Sequence, residues 1–144
     1  MEATFQNEKM IKYLFDTSVL ILLSQHHGRW KEAEKIFEQG SVYVCFASVT
    51  EFYYYHRPYR SEDLLKRYEN FYQLPFSIIW PNRELLDKAG YVKAEYALGL
   101  GDAFVAAAAE MHECVLVHRD KDFLKMKDIR QIYLGKKKHG RNSS

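Results

Sequence analysis

Tyr13-Leu14-Phe15-Asp16-Thr17-Ser18-Val19-Leu20-Ile21 starts as an apolar, strand-like triplet, passes one acid and two hydroxyl residues, and continues with apolar residues at helical spacing as far as Ser24. A change of period from two to 3.6 marks a strand feeding into a helix. The pattern recurs in both directions along the chain. Strand-like runs at Val42 to Phe46, Phe76 to Trp80, Cys114 to Val117 and, weakly, Gln131 to Leu134 alternate with helically spaced segments. Those segments are Trp30 to Gln39, Val49 to Tyr55, Leu64 to Tyr72, Leu85 to Leu98, Ala103 to Met111 and Phe123 to Met126. Strands separated by helices predict an α/β fold with a mainly parallel five-stranded sheet.

No linker or repeat divides the chain, and Pro58, Pro75 and Pro81 only punctuate periodic segments. One domain is expected over 10–135. Met1 to Lys9 reads as an N-terminal extension or expression scar, and 136–144 as a basic tail. The 144 residues are 47% hydrophobic, enough for a core without disulfides or a structural metal. No apolar run reaches the roughly 18 residues of a membrane span, and no leader pattern opens the chain. Cys45 and Cys114 each sit in an apolar run with no second cysteine nearby, as buried free thiols do. A cytoplasmic protein is expected.

There are 21 Lys and Arg against 19 Asp and Glu, but Lys136, Lys137, Lys138 and Arg141 lie in an acid-free tail. The body is therefore slightly acidic, and attraction to nucleic acid must be local.

In a parallel sheet, ligands bind beyond the carboxyl ends of the strands. Acids stand there repeatedly: Asp16 after the first run, Glu51 shortly after the second, Asp120 after the fourth, and Asp102 at the start of an alanine-rich helix. Each has an ordinary reading. Asp16, Asp102 and Asp120 suit helix caps, and Ser48-Val-Thr-Glu51 has capping-box spacing. Together, however, carboxylates converging at one sheet edge repel unless protons or cations compensate them. Oxygen donors without paired His or Cys favour Mg2+ or Mn2+ over zinc, and such a site suits phosphodiester hydrolysis. A phosphatase of the haloacid-dehalogenase type is excluded, because it needs a second Asp where Ser18 stands.

Four strings in this order resemble the PIN domain family, and within it the small ribonucleases typified by VapC toxins. They are Tyr13-Leu-Phe-Asp16-Thr-Ser, Ser48-Val-Thr-Glu51, Gly101-Asp102-Ala-Phe-Val-Ala-Ala-Ala, and Leu116-Val-His-Arg-Asp120-Lys-Asp-Phe123. The resemblance implies a three-layer α/β/α sandwich with strand order 3-2-1-4-5. It also implies an acidic pocket of Asp16, Glu51, Asp102 and Asp120, and a metal-dependent endoribonuclease that forms a homodimer and is neutralised by an antitoxin protein. Asp16 and Asp102 would be the main metal anchors, with Glu51 and Asp120 binding directly or through water. In that strand order, Cys45 and Cys114 flank the first strand about 9–10 Å apart, too far for a disulfide.

Around the pocket, Thr17 and Ser18 either orient Asp16 or cap the helix. His118 stands where the family usually has Ser or Thr, and either donates the same hydrogen bond, makes the site pH-sensitive or is passive. Asp122 competes with Asp120 as the fourth acid. Arg119 and Lys121 are candidate phosphate contacts, as are Arg57 and Arg60 in the aromatic-rich stretch Tyr53 to Arg60, part of which also reads as packing. Two other functions fit the same residues: a non-catalytic protein or RNA interaction module, and a housekeeping RNA-processing nuclease.

Overall fold

The computed structural model describes residues 10–56, 69 and 72–136. Five strands form one sheet: β1 (Lys12–Phe15), β2 (Ser41–Cys45), β3 (Phe76–Ile79), β4 (Val115–His118) and β5 (Gln131–Tyr133). Their order is β3-β2-β1-β4-β5, and every neighbouring pair is parallel. This is the expected 3-2-1-4-5 sheet. Between the strands run α1 (Thr17–Gln25), α2 (Trp30–Gln39), α3 (Phe46–His56), α4 (Arg83–Tyr96), α5 (Leu100–Met111) and a 3-10 turn (Lys121–Lys125).

Side chains alternate across a strand, so each strand feeds two cores. Phe15, Val42, Val44 and Val117 pack with Val19 and Leu22 of α1, Ala33 of α2 and Phe52 of α3. Leu14, Cys45 and Leu116 pack on the opposite side with Leu85 and Val92 of α4, Ala103 and Ala106 to Ala109 of α5, and Phe123 of the 3-10 turn. Helices thus cover both faces, giving the three-layer sandwich. The buried alanines of α5 let its backbone approach the sheet closely.

The strand readings agree with the structure to within a residue or two, and α2 spans the expected Trp30–Gln39, but the other helices begin earlier than their apolar spacing indicates. α1 opens at Thr17 and α3 at Phe46, directly off the ends of β1 and β2. Polar and strand-like residues fill these first turns, hiding them from a periodicity argument. Two capping readings fall as a result. Ser48 lies inside α3 rather than before it, and its buried hydroxyl has no partner among the described residues, so no capping box forms. Asp102 is in the first turn of α5, whose N-cap is Gly99. Asp16 and Asp120 do cap, accepting from the amides of Ser18 and Asp122.

Both cysteines are free and buried, Cys45 at the end of β2 and Cys114 just before β4, the strands to either side of β1, and burial pushes each thiol up to about 11. No helix among the described residues is long and apolar enough to cross a membrane. Arg57, Arg60 and most of the stretch Leu64 to Tyr72 lie outside the described residues.

Candidate functional site

The parallel sheet delivers the ends of β1, β2 and β4 to one edge, where the chain turns into α1, α3 and the 3-10 turn. Asp16 closes β1 and is buried. Its carboxylate accepts from the Ser18 hydroxyl at 2.9 Å and, at 3.4 Å, from the Ser18 amide. Ser18 Oγ in turn accepts from the backbone N–H of Arg119 at 3.2 Å. One hydroxyl therefore ties the first acid to the loop that carries the fourth. Thr17 does similar work in the other direction, donating to Glu51 Oε1 at 2.7 Å and linking α1 to α3.

Glu51 also lies against the start of α5. A Cβ placed on Gly101 would come within 2.9 Å of Glu51 Oε2, so the bare glycine leaves room for the carboxylate beside Asp102. Asp102 is half-buried and lies close enough to Asp120 for the two carboxyls to interact. Burial, followed by the charges of Asp16, Asp120 and Glu51, pushes Asp102 up to about 7. Asp16 is raised to about 6, mainly by burial, against the lowering pull of its Ser18 hydrogen bonds. The four acids thus feel one another across the sheet edge. Among the described residues, no three His, Cys, Asp or Glu side chains are already drawn into a closed metal-ligand set.

Asp120 accepts from the amide of Asp122 at 2.9 Å, while Asp122 is itself exposed and is not among the charges that shift Asp102. His118 is fully buried, and burial lowers its pKa. It accepts at Nδ1 from the backbone N–H of Asp120 at 3.1 Å, and its Nε2 faces Gln131 Oε1 at 2.8 Å. It makes no bond to the Asp120 carboxylate, and so does not reproduce a hydroxyl donating to that acid. Arg119 is half-buried, with an Nε that is buried and lacks a partner among the described residues, and Lys121 is exposed.

Two residues escaped the sequence reading. Gln131 sits in the weakest strand-like run, where nothing local separates a polar strand residue from a functional one. Gly101 stood within a quoted motif, but its use as space for Glu51 depends on a contact fifty residues away.

A family model described as "PIN domain" matches residues 13–129. Among solved structures, the chain is similar to VapBC2 from Rickettsia felis bound to a fragment of promoter DNA, with TM-score 0.71 and 13% identity, covering 85% of this chain and 98% of that one. DNA-bound VapBC from Salmonella typhimurium gives TM-score 0.70 and 16% identity, covering 87% and 99%. VapC20 from Mycobacterium tuberculosis, a toxin that cleaves the sarcin-ricin loop, gives 0.64 and 14%, covering 80% and 95%. At these identities the likeness is one of fold. No curated protein matches the chain in sequence.

Proposed function

The chain belongs to the PIN domain family, and from that premise we propose that it is a Mg2+- or Mn2+-dependent endoribonuclease, the toxin of a toxin–antitoxin pair. One observation carries the reading: carboxylates from four separate elements lie towards one sheet edge, where burial and then the charges of Asp16, Asp120 and Glu51 push Asp102 up to about 7. A fold gains no stability from that arrangement, which calls for compensation by a cation or a proton.

The donor set fits a hard divalent cation, because the four candidate ligands are all carboxylate oxygens. Asp16 and Asp102 would hold the ion, with Asp120 and Glu51 completing the set directly or through water. When bound, such an ion offsets negative charge on a phosphate and makes water a stronger acid. The chain supplies the remaining functions. Ser18 and Thr17 fix the carboxylates of Asp16 and Glu51. Asp102, held protonated up to about 7, must lose its proton to hold the ion, so loading would be favoured above pH 7. Arg119 and Lys121, on either side of Asp120, would contact RNA phosphates, and Arg57 and Arg60 would extend that surface. The mechanism needs no protein nucleophile.

The VapBC complexes among the structural relatives support an antitoxin partner. A homodimer acting in the cytoplasm is part of the same proposal. The test is cleavage of total cellular RNA by the purified chain, with and without Mn2+ or Mg2+, mapping new 5′ ends. Discrete metal-dependent cuts that vanish in Asp102→Asn are expected. Identical cuts by that variant would refute the assignment, and no cuts despite metal binding would favour the interaction module. A small gene for a DNA-binding antitoxin beside this one separates the toxin from a housekeeping nuclease.

A further inference from the structure

Gln131, on the edge strand β5, is bonded at both ends of its side-chain amide. Nε2 donates to the carbonyls of Phe123 at 2.9 Å and Met126 at 2.6 Å. Two carbonyl acceptors require the NH2 group on that side, so Oε1 must point the other way, where it meets His118 Nε2 at 2.8 Å. An oxygen there is satisfied only if Nε2 carries the imidazole proton. A neutral imidazole has a single ring N–H, which leaves Nδ1 with a lone pair, and that lone pair receives the Asp120 N–H at 3.1 Å.

A polarity set by two backbone carbonyls thus passes through an amide and a ring to the backbone of a site acid. The path also closes on itself. Phe123 belongs to the 3-10 turn that Asp120 caps, and Met126 is the residue that ends it. His118 is 0% exposed, so water has no access to replace either partner of its ring nitrogens.

We propose that Gln131 is a positioning residue for Asp120. By fixing His118 as the Nε2–H tautomer, it holds the Asp120 backbone so that the carboxylate faces Asp102. The proposal rests on the reading of Asp120 as one of the site carboxylates. It also accounts for a histidine where the family usually has Ser or Thr: a ring there works only with a partner that dictates its tautomer, and Gln131 is that partner.

Two measurements on the full 144-residue chain test it. The first is the pair of His118 nitrogen chemical shifts in the 15N-labelled, metal-free wild type, where a protonated Nε2 and an unprotonated Nδ1 are expected. An Nδ1–H tautomer overturns the proposal whether or not any variant folds. The second is Mn2+ titration of Gln131→Leu, His118→Asn and the double variant. Gln131→Leu is expected to weaken Mn2+ binding about tenfold. His118→Asn places an amide oxygen where Nδ1 stood and has no tautomer to fix, so adding Gln131→Leu to it should cost no further affinity. Equal losses in both backgrounds, or none in either, overturn the positioning role. If the wild type binds Mn2+, Asp102→Asn does not, and Gln131→Leu binds normally, only this proposal falls. A wild type that binds no Mn2+ overturns the cation-site reading and this proposal with it.

Discussion

At Asp102, charge repulsion and burial act in the same direction. Its folded pKa of about 7, and the value of about 6 at Asp16, lie above the 3.8 of a free aspartate. Between those limits the folded chain holds protons that the unfolded chain has released, so raising the pH removes protons bound only in the native state and lowers stability. The loss begins near pH 4, grows through pH 7 and is complete above it. Metal-free protein should therefore melt at a lower temperature at pH 8 than at pH 5.5, and Mn2+ should restore more at pH 8. Asp102→Asn removes one of the charges. Because Asp102 is only half-buried, the gain expected at pH 7.5 without metal is a screened one of about 1–2 kcal/mol, measurable by calorimetry. A flat pH profile in the wild type would contradict the coupling of the four acids. Gly101 offers a second test. Gly101→Ala should leave the melting temperature unchanged or slightly higher, since alanine favours helix by up to about 1 kcal/mol. Its Cβ would nevertheless displace the Glu51 carboxylate from its place 2.9 Å away, and metal-dependent cleavage should fall about tenfold. Full cleavage by this variant would remove Glu51 from the site.

Among the elements, α3 shows where pattern and packing part company. Val49 to Tyr55 has visible helical spacing, whereas Phe46, Ala47 and Ser48 look like the tail of a strand and its loop. The helix includes them because α3 starts directly at the end of β2, and Ser48 then falls at a buried position. Its hydroxyl finds no partner there among the described residues. Ser48→Ala should therefore stabilise the fold by about 1 kcal/mol, with chemical denaturation as the measure. A loss of stability would mean the hydroxyl is satisfied in solution. The strands were legible for the complementary reason. Sheet burial on two faces needs unbroken apolar runs, and runs such as Val42 to Cys45 and Val115 to Val117 have no competing reading. The acids were legible one by one, since each follows such a run. Their convergence at one sheet edge was expected from their places beyond strand ends in a parallel sheet, and the family resemblance added only the strand order that decides which of them are neighbours. The links that align them, Thr17 to Glu51 and Gln131 to His118, were beyond any local pattern.

Across the whole molecule, the formal charge of +2 understates how unevenly charge is distributed. The acidic pocket repels a polyanion, and the body carries fewer basic than acidic groups once the four cations of the tail are set aside. If the chain acts on RNA as proposed, the substrate would therefore be held by cations at the rim of the site. Arg119 and Lys121 flank Asp120, and the buried Nε of Arg119 has no partner among the described residues. Single-stranded RNA releases about 0.7 counterion per phosphate neutralised, so two contacts contribute about 1.4 to the slope of log affinity against log salt. The double variant Arg119→Ala/Lys121→Ala should lose about that much slope when binding is followed by fluorescence anisotropy in Ca2+, with cleavage suppressed. Truncation after Gly135 removes four cations at once, and would cost about 2.8 units if the tail gripped the backbone. The rim assignment predicts that the truncated chain keeps the wild-type slope. The reverse result, with slope lost on truncation and kept in the double variant, would move RNA recognition from the rim of the pocket to the tail.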